Sequence, residues 1–113
     1  MGTMIITEEN FKERVEEAQK PVMLDFYASW CGPCKMLAPV IEDFAVEELR
    51  VWVGKVNIEE EQELAKRYQI QTVPTILILY QGKVYGRQSG FQTKEALEDM
   101  TRKALSNIQG EQP

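Results

Sequence analysis

Histidine is absent from this 113-residue chain, and cysteine occurs only twice. The first absence removes the Cys–His and Ser–His pairs of nucleophilic catalysis and every His-ligated zinc site. The second rules out a four-cysteine metal site within one chain. Basic residues are in deficit too: 13 Lys and Arg stand against 18 Asp and Glu, a formal charge of −5. That balance argues against phosphate-driven nucleic-acid binding and against anionic membrane surfaces. Long apolar runs are missing. The longest, Val73 to Tyr80, contains Pro74 and Thr75 and is far too short to span a bilayer. The N-terminus has neither a basic stretch nor a long apolar one, so no signal peptide is evident. Met1-Gly2 invites a lipidation reading, but Ile6 stands where a myristoylation motif needs Ser or Thr. The expectation is a cytoplasmic protein, where a lone cysteine pair is more often catalytic than structural.

What is present suffices for one domain. Hydrophobic residues make up 43% of the chain, enough for a single core without disulfide staples or a metal. No linker, repeat or low-complexity segment breaks residues 1–113, and only the tail after about residue 108 is expected to fray. Glu59, Glu60, Glu61 and Glu63 read as a solvated helix start rather than a binding site.

The apolar spacing predicts the order β-α-β-α-β-α-β-β-α. After a short strand near Met4–Ile6, Thr7 is a good N-cap, and Phe11, Val15 and Ala18 line one helix face. Val22 to Ala28 is nearly all apolar, as a strand covered on both faces should be. A long helix is predicted from about Cys31–Pro33 to Leu49, with Leu37, Val40, Ile41, Phe44 and Ala45 inward and Pro39 bending it. Val51–Ile58 is the next strand and Glu60–Tyr68 a short helix. Two strands joined at Gln81-Gly82 suggest an antiparallel hairpin. Thr93 caps a last helix with Ala96, Leu97, Met100 and Ala104 on its apolar face. The fold class is α/β: a mixed sheet between two helix layers.

The chemistry is concentrated in Trp30-Cys31-Gly32-Pro33-Cys34. A strand ends just before it and a helix starts within it, so Cys31 falls at a helix N-terminus, where unpaired amides and the macrodipole favour a thiolate. Lys35 adds a cation. Residues at i and i+3 share a helix face, and one turn rises about 5.4 Å, within the roughly 4.4–6.8 Å Cα separation that a disulfide accepts. Gly32 leaves the first sulfur open to another polypeptide, and Pro33 suits the first helical turn. The rival reading is a fragment of a metal site bridging two chains; the intervening Gly-Pro and the lack of other soft ligands count against it.

Asp25-Phe26-Tyr27-Ala28-Ser29-Trp30-Cys31-Gly32-Pro33-Cys34-Lys35, then Pro39, Lys55, Val73-Pro74-Thr75, Gly82 and Gly90 resemble the thioredoxin family over nearly the whole chain. The resemblance implies the thioredoxin fold, a central mixed five-stranded sheet flanked by four helices. It implies a protein dithiol–disulfide oxidoreductase in which Cys31 is the nucleophile, Cys34 the resolving thiol, and the two form a redox-active disulfide. Asp25, a carboxyl amid apolar strand neighbours, becomes a proton relay to Cys34 with a raised pKa rather than a buried acid kept only for structure. Lys55 becomes its partner. Val73-Pro74-Thr75 looks like the family's cis-proline segment, offering the Val73 backbone to an extended client, with Trp30, Gly32, Pro33 and Gly90 around it. Trp52 is expected to be packing only. The implied partners are disulfide-containing client proteins and, as electron donor, thioredoxin reductase fed by NADPH. No dinucleotide-binding glycine loop is present, so the chain itself is expected to bind neither NADPH nor flavin, and no metal. A monomer is expected. Two residues depart from many relatives: Tyr27, where tryptophan is common, and the bulky Phe91 after Gly90. The alternative is a thioredoxin-fold binding or scaffold subunit with a dispensable redox site, which would not reduce insulin catalytically.

Overall fold

The computed structural model describes residues 2–111. Its elements run β1 (Met4–Ile5), a short N-terminal helix (Lys12–Glu16), β2 (Val22–Tyr27), α1 (Gly32–Glu47), β3 (Trp52–Asn57), α2 (Gln62–Arg67), β4 (Thr75–Tyr80), β5 (Lys83–Ser89) and α3 (Lys94–Glu111). The five strands form one sheet in the order β1-β3-β2-β4-β5. The β1–β3 and β2–β3 pairs are parallel; β2–β4 and β4–β5 are antiparallel.

Strand periodicity sorts the core into two layers. Val22, Leu24 and Phe26 point to one face, where they meet Phe11, Val15 and Ala18 of the N-terminal segment and Leu64 of α2. Met23 points to the other, against Leu37, Ile41 and Phe44 of α1 and Leu97, Met100 and Ala104 of α3. An apolar strand covered on both sides is the result, as its composition suggests. Asp25, two residues after Met23, therefore belongs to the face that α1 covers. In β3 the same alternation puts Lys55 on that face, in register beside Asp25.

Local chemistry explains most of the boundaries. Thr7 and Asn10 cap each other: Thr7 N–H donates to Asn10 Oδ1 at 2.8 Å and Asn10 N–H to Thr7 Oγ1 at 3.2 Å. The helix that follows is a single wide turn, in which Glu17 N–H reaches five residues back to Lys12 O at 2.8 Å. Pro39 lies inside α1 and leaves the Lys35 carbonyl without its usual helical donor. Val40 is only half-buried, unlike the other four residues of the expected stripe. The hairpin turn takes the positive φ values a two-residue connection needs, 51° at Gln81 and 87° at Gly82.

Three details add to the expectations. Helix α3 runs to Glu111, which accepts hydrogen bonds from Lys83 Nζ at 2.7 Å and Tyr85 OH at 3.1 Å; residues 112–113 of the tail expected to fray, like the Met1 part of the lipidation reading, lie outside the described residues. Trp52, expected to be packing only, is 41% exposed at the start of β3 with Lys20 Nζ 5.7 Å from its ring. The acidic run is a solvated helix start, as expected, and it also makes bonds: Glu61 accepts the Glu8 N–H at 2.9 Å, while Glu8 accepts the Glu63 N–H at 2.8 Å in the first turn of α2. Among the described residues no helix is long and apolar enough to cross a membrane.

Candidate active site

The two cysteines sit where β2 hands over to α1. Cys31 N–H donates to Ala28 O at 3.3 Å, turning the chain, and Cys31 (φ −89°, ψ 115°) becomes the residue before the helix. Cys34 N–H then points at Cys31 Sγ, 3.2 Å away. An amide with no helical partner thus faces that sulfur, as it would face a thiolate there. Cys31 and Cys34 are joined in a disulfide with their Cα atoms 5.2 Å apart.

Both cysteines are buried, at 4% and 5% exposure, yet they have different neighbours. Cys31 Sγ lies 3.6 Å from the carbonyl oxygen of Val73. Cys34 lines a cavity of about 160 Å³ whose walls include Asp25, Tyr27, Ala28, Lys35 and Lys55. One sulfur looks toward the segment before β4; the other looks back toward the sheet.

Asp25 is 1% exposed, and its Oδ1 has no hydrogen-bond partner. Burial pushes its pKa from 3.8 up to about 6, opposed by the positive charge of Lys55. Lys55 acts through its field and not through a direct ion pair: its Nζ stands 5.0 Å over the Tyr27 ring. The expected partnership is thus one of register and charge, because the ammonium is drawn to the aromatic face instead of the carboxylate.

The outer side is open. Trp30 is 68% exposed, Phe91 44%, and a side chain at Gly32 would meet nothing. Val73 is half-buried and packs on the cluster formed by Ala28, Cys31 and Cys34. The Val73–Pro74 bond is cis, as the resemblance implies. Thr75 Oγ1 donates to Thr72 O at 2.7 Å, and Gly90 N–H to Pro74 O at 2.8 Å, with Gly90 at φ 89°. Pro33 is exposed in the first turn of α1, while Pro74 and Thr75 are buried.

One contact at this site is invisible to sequence reasoning. Glu59 accepts both the Ser29 N–H at 3.0 Å and the Ser29 hydroxyl at 2.8 Å, clamping the turn that carries Trp30. These bonds hold the Glu59 carboxyl below its ordinary pKa. The residues are 30 apart, and a glutamate in an acidic run carries no local mark of such a role.

Comparison with known proteins gives one consistent result. A family model described as Thioredoxin matches residues 2–103. The chain is 40% identical to the thioredoxin of Alicyclobacillus acidocaldarius over 98 residues, 86% of this chain and 92% of that protein. It is 38% identical to the thioredoxin of Bacillus subtilis over 106 residues, 93% of this chain and 100% of that protein. With the thioredoxin of Rickettsia prowazekii it shares 40% identity over 101 residues, 88% of this chain and 96% of the other.

Proposed function

The chain belongs to the thioredoxin family and is a protein dithiol–disulfide oxidoreductase, and we propose that it reduces client proteins with Cys31 as attacking thiolate and Cys34 as resolving thiol. The observation that carries this assignment is the split environment of the two sulfurs. Cys31 Sγ faces the Val73 carbonyl, while Cys34 shares a cavity with Asp25.

The reaction balances in two exchanges. The Cys31 thiolate attacks one sulfur of a client disulfide. A Cys31–client bond forms, the client S–S bond breaks, and the other client sulfur leaves as a thiolate that takes a proton from solvent. Cys34 then gives its proton to the Asp25 carboxylate and attacks Cys31 Sγ. The mixed disulfide breaks, and the second client sulfur leaves and is protonated. The chain ends as the Cys31–Cys34 disulfide seen here, having passed two electrons to the client. A carboxyl with a pKa of about 6 suits the second step: at neutral pH it is mostly ionised, yet it is basic enough to take a thiol proton. Lys55 limits how far burial raises that pKa.

Clients dock, in this reading, as an extended segment against the Val73 backbone, with Trp30, Gly32, Pro33, Pro74, Thr75 and Gly90 forming the surrounding surface. Thioredoxin reductase, fed by NADPH, restores the dithiol. The protein then serves electron transport and redox homeostasis as a cytoplasmic monomer.

Insulin reduction with dithiothreitol as reductant tests the activity, and a Cys34→Ser variant tests the assignment. The variant is expected to stop at a client joined to Cys31, visible as an adduct that dithiothreitol releases. An adduct on Cys34 in a Cys31→Ser variant, with none in Cys34→Ser, would reverse the roles.

A further inference from the structure

Arg87 lies on β5, far in sequence from the cysteines and outside the motif residues. Its guanidinium forks onto the end of α2: Nη1 donates to Tyr68 O at 2.8 Å and Nη2 to Gln69 O at 2.7 Å. These are carbonyls that a helix terminus leaves without helical donors, at the negative end of its dipole. Gln69 is itself unusual, a non-glycine residue at φ 54°, where a side chain is disfavoured. The fork grips the residue whose backbone is hardest to hold.

Only Ile70, Gln71 and Thr72 separate Gln69 from Val73. The downstream end of this segment is tied by Thr75 Oγ1 to Thr72 O, by Gly90 N–H to Pro74 O, and by the pairing of Thr75 with Phe26 and Ser89. At the upstream end, Tyr68 packs near Phe11 and Phe26, and Arg87 holds the two carbonyls. β4 pairs directly with β5, and Arg87 stands opposite Leu77, two residue pairs inward from Thr75–Ser89. The same hairpin therefore fixes both ends of the segment that lies 3.6 Å from Cys31 Sγ.

We propose that Arg87 is a positioning residue for client docking: by clamping the Tyr68 and Gln69 carbonyls it pre-sets where Val73 meets an incoming polypeptide. This inference rests on the reading of Val73–Pro74 as the docking segment. Without the fork the segment keeps its downstream ties but gains freedom at its start, and a docking client must remove that freedom. The thiol chemistry, set by the helix start and Asp25, does not depend on it.

The test compares a protein substrate with cystamine, a disulfide too small to pair along a strand edge. Wild type, Arg87→Gln, Arg87→Lys and Pro74→Ala are each assayed with insulin and with cystamine. Arg87→Gln is expected to lower kcat/KM for insulin about three- to tenfold, through KM, because two charge-assisted bonds on an exposed strut are lost. Its rate with cystamine is expected to stay within about twofold of wild type, since a change away from the reacting groups has little effect on them. Arg87→Lys is expected to recover part of the loss, as an ammonium can reach one carbonyl but not fork onto two. If Pro74→Ala shifts the insulin-to-cystamine ratio and Arg87→Gln does not, the proposal for Arg87 is overturned while the docking segment stands. If neither shifts it, the docking-segment reading fails and takes the proposal with it. An equal loss on both substrates in Arg87→Gln would mark general structural damage and also overturn it.

Discussion

Asp25 and Glu59 are carboxylates beside the same dithiol turn, one lining a cavity with Cys34 and one bonded to Ser29, and the fold drives their pKa values apart. Asp25 lies behind the disulfide, buried on the face of β2 that α1 covers, with Oδ1 unpaired and its pKa raised to about 6. Glu59 is exposed and hydrogen-bonded twice to Ser29, with its pKa lowered. Both are acids within an otherwise ordinary domain. Position alone decides that one is a buried acid with a raised pKa and the other an exposed acid, its pKa lowered, that clamps a turn.

The separation is broken most completely at the sulfurs themselves. Cys31→Ser is expected to abolish insulin reduction to the background of dithiothreitol alone, and retained turnover would remove the nucleophile assignment. The next effect is on stability at Asp25. Between 3.8 and about 6 the folded chain holds a proton that the unfolded chain has released. Stability therefore falls as pH rises through that window, is unaffected below it, and carries the full cost above it. At about 1.4 kcal/mol per pH unit the cost is on the order of 3 kcal/mol. Asp25→Asn removes this slope, so guanidinium unfolding of the oxidised protein should show the variant gaining about 2–3 kcal/mol on wild type between pH 4 and pH 8. A stability difference that does not change with pH would mean that Asp25 is not buried as an ionisable acid. The smallest effect belongs to Glu59→Gln, which keeps an acceptor for Ser29 and loses only an exposed charge. Its insulin-reduction rate is expected to stay within about twofold of wild type. Its pH dependence has the opposite sign: the stabilisation from an ionised Glu59 is present at neutral pH and fades as pH falls through its lowered pKa. A large rate loss would move Glu59 from the clamp into the chemistry.

The same division separates what the sequence discloses from what it withholds. Asp25 is legible because a carboxyl in the middle of Met23-Leu24-Asp25-Phe26-Tyr27 breaks an apolar run, and strand periodicity assigns it a face. The cysteine pair, the helix start and the hairpin at Gln81-Gly82 are legible for the same reason: each is set by neighbours in the chain. The exposure of Trp52 is not legible, because nothing local reveals that its end of β3 lies at the surface. The partnership of Lys55 with Asp25 is right in register but indirect in contact, since the competing Tyr27 ring is a matter of side-chain direction. Glu59 with Ser29, and Arg87 with Tyr68 and Gln69, join segments that only the completed sheet brings together. The long reach of α3 to Glu111 depends likewise on Lys83 and Tyr85 in another strand.

The proposed proton relay from Cys34 to Asp25 is tested most directly by the pH profile of mixed-disulfide resolution. A client joined to Cys31 is prepared and its release by Cys34 is followed in a single turnover, for wild type and for Asp25→Asn. Wild type should show a rise in rate with a midpoint near the Asp25 value of about 6. Asp25→Asn should lose that step and resolve at least about tenfold more slowly at neutral pH, as removal of a general base does. An unchanged step in the variant, at the same midpoint and rate, would contradict the relay.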